Sequence, residues 1–455
     1  MNACTVIKQI FKQLRNVSLW QTLQTIVLVS LLLDILVPFP SRFTTYAIGF
    51  GFIIAMVHWG LLPQKEKWNL AWKYALPYLV FYVLMLFSGL FSGNFFLFLQ
   101  KLWQYTPLLL IPLIFVGMTP AFFNRKRIRI FAFALIFGVL AGYLWKVGVF
   151  IFEYARPESI KELGWSDAFR EFYRLAMGPQ RKWTLHPAFE ALFGNLAVAI
   201  ILIAWIKKDA FFYYRYKKAF AFVYIFLISI NICLFCTKTS ALCCIMVFFS
   251  IWIYALCRKN YRFFGVLSAI GVLFVCGAFL LFAKQESTLG ERYKRTENAI
   301  RSFAREGGKI NNEKDGSFTP RLYCYQQTWD MFQEKPIIGW GPAYGREFQT
   351  RFQKNYDIGY PQEGLKYPHN EFLEVMLFGG VLGLLVFIWL LLSALHDVRC
   401  GKKFYGWIWL VYLLVFFMVE SIFDRTVGFV FLCGVHGVLF CQSLMLKAEN
   451  LPESK

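Results

Sequence analysis

Four side chains stand where the chain passes between apolar and polar stretches, and their types suggest one chemistry. Lys238 lies between two apolar runs in LFCTKTSALCC, at the turn of a tight helical hairpin. Arg321 follows Thr319 and Pro320, a capping residue and a first-turn proline, which places it at the start of a helix. His369 lies in KYPHNEFLEVMLFGG, at the amino-terminal end of a long apolar run. His186, in WTLHPAFE, opens another such run beside Pro187, with Glu190 one turn later. Arginine and lysine neutralise phosphate oxygens, arginine with a bidentate fork. A neutral imidazole can accept a proton from an attacking hydroxyl. The set suits an anionic lipid-linked substrate with a diphosphate leaving group, two cations taking the place of a metal.

Each residue also has a plain structural reading. Lys238 could snorkel to a membrane interface, and Arg321 is one of 14 basic residues in a loop of 87. The histidines could simply cap helices, His186 together with Glu190. The positive end of the helix after His369 favours a neutral ring, whereas Glu371 and Glu374 favour the charged one. Glu420, Asp424 and Arg425 form a charged cluster at a helix end that reads as an internal ion pair. His58, His396 and His436 fall in apolar or cytoplasmic settings, and no His/Asp/Glu spacing resembles a metal site. The run GWGPAYG at 339–345 lacks the strand and helix of a nucleotide loop, so its glycines are expected to fold the loop back on itself.

The elements that carry these residues follow from composition. Of 455 residues, 58% are hydrophobic and only 16% charged, against about 25% charged in soluble domains. Apolar runs of about 20 residues, enough to cross a bilayer, recur along the chain. This excludes a conventional soluble enzyme, a disulfide scaffold and a disordered chain. We expect an all-α, polytopic integral membrane helical bundle of about 12 spans, near 20–37, 43–62, 70–92, 95–118, 129–152, 187–206, 219–237, 239–257, 262–283, 371–396, 405–422 and 427–446. The first is expected to be retained, because no small-residue cleavage site follows it. Most of the 11 cysteines lie inside apolar segments without a CxxC pair.

Basic residues orient the bundle. With the amino terminus in the cytoplasm, the short cytoplasmic segments hold 23 Lys and Arg, while the short loops opposite contain little beyond Arg42 and Arg425. The net charge of +21 is thereby assigned to membrane orientation, and no nucleic-acid partner is expected. The expected units are a transmembrane bundle at 1–283, with a smaller periplasmic loop at 153–186, then a large, partly helical periplasmic loop at 284–370 between spans nine and ten, and spans ten to twelve with a cytoplasmic tail at 371–455. Within the large loop, Thr288–Glu306 has roughly helical apolar spacing and is expected along the membrane surface. A second helix is expected from Thr319, with Leu322, Tyr325, Trp329 and Phe332 on one stripe, ended by Pro336 and Gly339.

Three stretches, LFCTKTSALCC, PRLYCYQQTWDMFQEKPIIGWGPAYG and PHNEFLEVMLFGGVLGLLVF, resemble the O-antigen ligase and polymerase superfamily of bacterial membrane glycan-transfer proteins. The second carries the family's arginine and P-hydrophobic-hydrophobic-G-x-G pattern, the third its HN-x-x-L-E helix entrance. The resemblance covers the carboxyl-terminal half; the amino-terminal half matches only in hydropathy. It implies that Arg321 binds the diphosphate of an undecaprenyl-linked glycan, that His369 assists the acceptor hydroxyl, and that Lys238 stands where relatives commonly carry arginine. No cofactor is implied. The implied activity is metal-independent transfer of the glycan to a lipid A-core sugar hydroxyl at the periplasmic face of the bacterial inner membrane. A polymerase would join lipid-linked repeat units with the same residues, and a transporter would move the glycolipid without breaking a bond. The orientation predicts that alkaline phosphatase fused after Gln326 is active and that a fluorescent protein fused after Lys455 glows; the reverse pattern would invert the topology.

Overall fold

The computed structural model describes residues 17–36, 43–60, 65–92, 94–116, 125–149, 187–207, 215–235, 238–265, 268, 297–298, 301, 319–355, 367–401, 404–423 and 426–449. Among the described residues there is helix and no strand, as a bilayer requires of any segment that must satisfy its own backbone hydrogen bonds. The helices are α1 (Val17–Leu36), α2 (Phe43–Gly60), α3 (Lys65–Leu90), α4 (Phe95–Val116), α5 (Arg125–Val149), α6 (Pro187–Ile206), α7 (Arg215–Phe235), α8 (Lys238–Cys257), α9 (Thr319–Glu334), α10 (Gly345–Asn355), α11 (Glu371–Gly401), α12 (Phe404–Val419) and α13 (Thr426–Glu449).

Four described helices are long and apolar enough to cross a membrane, over Lys73–Leu90, Phe95–Val116, Arg127–Trp145 and Glu371–Cys400, and shorter apolar helices accompany them. The apolar runs expected as spans one to eight and ten to twelve each fall on a helix. Most of span nine and all of the loop at 153–186 lie outside the described residues, as does most of the expected surface helix at 288–306.

Helix α11 packs against α3, α9, α12 and α13, while α6 packs against α5, α7, α8 and α12. Phe387 of α11 sits at the centre of an aromatic cluster, with ring centroids 6.0 Å from Phe81, 5.3 Å from Phe417 and 5.6 Å from Phe423. Such pairs add about 0.5–1.5 kcal/mol each beyond area burial. Toward the other end of α11, Asp397 lies 3.0 Å from His436 Nε2, and Tyr78 Oη lies 2.7 Å from His436 Nδ1. A Tyr78 hydroxyl donating to Nδ1 and an Nε2–H donating to Asp397 satisfies every group, and the network ties α3, α11 and α13 together. His436 is thus a fully buried, carboxylate-paired histidine rather than one in a merely apolar setting.

Two expectations for the large loop change. The buried face of α9 is Tyr323, Cys324, Gln327, Thr328 and Met331, whereas Trp329 is exposed. The helix is rotated because polar side chains can line its packed face: Thr328 donates back to the Cys324 carbonyl at 2.7 Å. Helix α10 was not foreseen, since charged residues surround the two that anchor it, Phe348 and Phe352, which are buried one turn apart.

The glycine-rich stretch folds back in a turn, where Tyr344 N–H donates to the Gly341 carbonyl at 3.1 Å, and it also docks onto α11. Gly380 interrupts α11 with φ 62° and ψ −158°, a conformation that only glycine adopts readily. The break frees backbone groups that the loop takes up. Trp340 and Gly341 N–H donate to the Leu377 and Phe378 carbonyls, both at 2.9 Å. In return Val381 N–H donates to Pro336 at 2.8 Å and Leu382 N–H to Ile337 at 3.3 Å. A Cβ on Gly380 would stand 2.2 Å from the Ile337 carbonyl oxygen, and one on Gly339 2.6 Å from the Leu377 oxygen. Gly380→Ala should therefore destabilise by about 3 kcal/mol, read as a lowered melting temperature. Gly49→Ala, inside α2 where nothing lies within 4 Å of the added methyl, serves as the control and should not lower it.

Candidate functional site

The site is built on the end of α12. Helix α12 stops at Val419, and the last carbonyls of a helix have no partner within it. Asn370 Nδ2 donates to the Met418 carbonyl and Arg321 Nη1 to that of Val419, both at 2.9 Å. Just beyond, the N–H groups of Ile422 and Phe423 donate to Glu371 Oε2 at 2.6 and 3.1 Å. Glu371 is fully buried, so this carboxylate acts as an acceptor for the turn between α12 and α13. Gln104 of α4 reaches the Phe423 carbonyl at 3.4 Å.

Between these anchors lies Glu420. Its Oε1 accepts from Arg321 Nη2 at 3.0 Å, and its Oε2 is 3.5 Å from His369 Nδ1. The side chains of Arg321 and His369 remain 23% and 27% exposed over a carboxylate that is 11% exposed. The anion therefore forms the floor of the site, while the cation and the imidazole can be reached from above. Of the five donors of a guanidinium, the bonds to Val419 and Glu420 use two.

His369 has a positive φ of 51°, which costs a residue bearing a Cβ about 1–2 kcal/mol. It is held there from both sides. Pro368 before it is buried, and Asn370 after it caps α11 by accepting the Leu373 N–H at 3.1 Å. One turn beyond Arg321, the Tyr325 hydroxyl bonds the Asn370 side chain, joining α9 to the α11 cap. Burial holds that phenol above its ordinary pKa, with the Arg321 charge and the Asn370 bond opposing. Burial likewise pushes the neighbouring Cys324 thiol up to about 12, so it does not serve as a thiolate nucleophile.

Arg321 and His369 are therefore brought together, through Glu420. Glu420 is paired with Arg321; the other two members of its expected charged cluster, Asp424 and Arg425, lie outside the described residues. Lys238 opens α8, its side chain outside the described residues, and His186 lies outside them altogether. Tyr254, near the end of α8, stacks at 4.2 Å on Phe404, which opens α12, so these two packed helices run antiparallel from that pair. Lys238 lies as many residues back from Tyr254 as Glu420 lies forward from Phe404, about 24 Å in each case, which puts the start of α8 level with Glu420. Lys101 of α4, 5.3 Å over the Tyr367 ring, supplies another cation beside the segment leading to His369. Sequence reasoning missed Glu420, Asn370 and Lys101 as site residues. The one available signal was the polar break VES between two apolar runs.

A family model described as O-antigen ligase matches residues 223–388, which include Lys238, Arg321 and His369. Over this segment the chain is similar to the O-antigen ligase family. Among curated proteins, none matches the chain. The matched segment ends before Glu420, so the carboxylate that joins its arginine and histidine comes from outside the matched region. If the left-handed backbone at His369 is strained, His369→Gly should be more stable than His369→Ala by about 1 kcal/mol, although both lose the imidazole. Equal melting temperatures would show that the backbone relaxes.

Proposed function

We propose that the protein is an O-antigen ligase, which transfers a glycan from undecaprenyl diphosphate to a sugar hydroxyl of lipid A-core. The reaction takes place at the periplasmic face of the bacterial inner membrane, in lipopolysaccharide synthesis. The observation that carries the reading is the convergence of Arg321 and His369 on Glu420, within reach of solvent at the end of apolar helices.

In this reading Arg321 binds the diphosphate with the donors not given to Val419, and Lys238, level with Glu420 on α8, supplies the second cation. His186, at the start of α6, is proposed to contact substrate on the same side. The positive groups stabilise the charge that develops on the leaving diphosphate, in a mechanism proposed to need no metal. His369 Nε2 accepts the proton of the acceptor hydroxyl as the hydroxyl oxygen attacks the anomeric carbon. Direct displacement inverts the configuration at that carbon. Membrane lipids surround the bundle, and both substrates approach by their lipid ends.

Purified Arg321→Ala and His369→Ala should each retain the fold and lose at least about 10²-fold in transfer rate; transfer at the normal rate by both variants would sink the assignment. In cells lacking the protein, long glycans should accumulate on undecaprenyl diphosphate while lipid A-core stays bare. A single repeat left on lipid A-core would identify a polymerase instead, and an unchanged glycolipid profile would contradict both.

A further inference from the structure

Glu420 is shared in the resting site: Oε1 accepts from Arg321 at 3.0 Å while Oε2 stands 3.5 Å from His369 Nδ1. A diphosphate competes for the same donor, because a guanidinium fork fits phosphate and carboxylate oxygens alike. Arg321 has a second anchor that a phosphate need not disturb, the 2.9 Å bond from Nη1 to the Val419 carbonyl. Nη2 can therefore change acceptors while the guanidinium stays in place. We propose that Glu420 is a positioning residue that donor binding switches from Arg321 to His369, so that the hydroxyl-activating pair assembles only once the diphosphate is seated. This rests on the roles given above to Arg321 and His369.

The exchange keeps a largely buried carboxylate paired at each stage, as its burial demands. Without donor, Arg321 neutralises it. When a phosphate oxygen takes Nη2, the released carboxylate accepts the Nδ1–H of His369, which fixes the tautomer and leaves the Nε2 lone pair for the acceptor hydroxyl. The hydroxyl proton moves to Nε2 as the new carbon–oxygen bond forms at the anomeric carbon. The bond from that carbon to the diphosphate oxygen breaks, and its electron pair leaves with the diphosphate. The imidazolium is then neutralised by Glu420 until it returns the proton to water. The frame need not move, since Asn370 caps α11 and bonds Met418 at 2.9 Å independently of Glu420.

The test uses the full chain in lipid nanodiscs, with undecaprenyl diphosphate as the binding probe and glycan transfer as the rate. Glu420→Gln, nearly isosteric, frees Arg321 from a competing charge and deprives His369 of its anion. It should bind the probe about fivefold more tightly while kcat falls about 10²-fold. Glu420→Asp, which keeps the charge but withdraws it by one methylene, should lie between wild type and Glu420→Gln in both respects. A purely structural role would weaken binding and turnover together. Probe binding by a folded Glu420→Gln that is unchanged or weaker than wild type, or a wild-type kcat, overturns the exchange. Should Glu420→Gln fail to fold, Glu420→Asp decides by the same criteria. Equal probe binding by wild type and Arg321→Ala sinks the reading of the diphosphate site, and the exchange with it.

Discussion

A helix that ends inside a protein must find partners for its last carbonyls and for the N–H groups of the turn that follows. At the end of α12 those partners are Asn370, Arg321 and Glu371. Arg321 comes from the start of α9, and Asn370 and Glu371 from the start of α11, so meeting the requirement brings those two helix starts to one spot. The proposed chemistry occupies what this arrangement leaves over. Arg321 keeps donors beyond those given to Val419 and Glu420, and His369, next to the capping Asn370, is carried to the rim of the same turn.

Such an arrangement holds only if α9 cannot drift along α11, and the backbone exchange around Gly380 prevents that. Four main-chain bonds join 336–341 to 377–382, and they form only because the glycines permit a break in α11 and a close approach to it. The connection between Trp340 and α9 is reinforced locally. The Trp340 indole donates to the Met331 carbonyl at 2.7 Å, and Lys335 and Arg351 lie over its ring, 4.1 and 4.7 Å from the centroid. Arg351 is itself paired with Glu334 and Glu347. Side chains that read as a solvated loop surface thus brace the helix that presents Arg321.

Charge is treated alike at the two ends of α11. Near its beginning Glu420 is matched by Arg321 and faces His369, and near its end Asp397 is matched by His436. Buried carboxylates persist in an apolar bundle when they are paired in this way or hydrogen-bonded, as Glu371 is by two main-chain N–H groups. The two arrangements differ in access. The Asp397 and His436 pair is sealed, with His436 fully buried, and serves to hold helices together. The Glu420 pair is open on one side, where its partners Arg321 and His369 remain partly exposed.

By itself the sequence determined the class of molecule, because hydropathy is additive along the chain: the apolar runs at 70–92, 95–118 and 371–396 became helices with bounds shifted by a few residues. It also marked Arg321 and His369, since a Thr-Pro helix start and a Pro before an apolar run are local signals that need no partner. Tertiary structure alone decided what those residues meet. Glu420 lies 99 residues from Arg321, a separation that no local pattern in the chain bridges. The same holds for the rotation of α9, for the docking of the loop glycines onto α11, and for the Asp397, His436 and Tyr78 network. Each depends on which element is packed opposite, and that is a property of the assembled bundle rather than of any local stretch of chain.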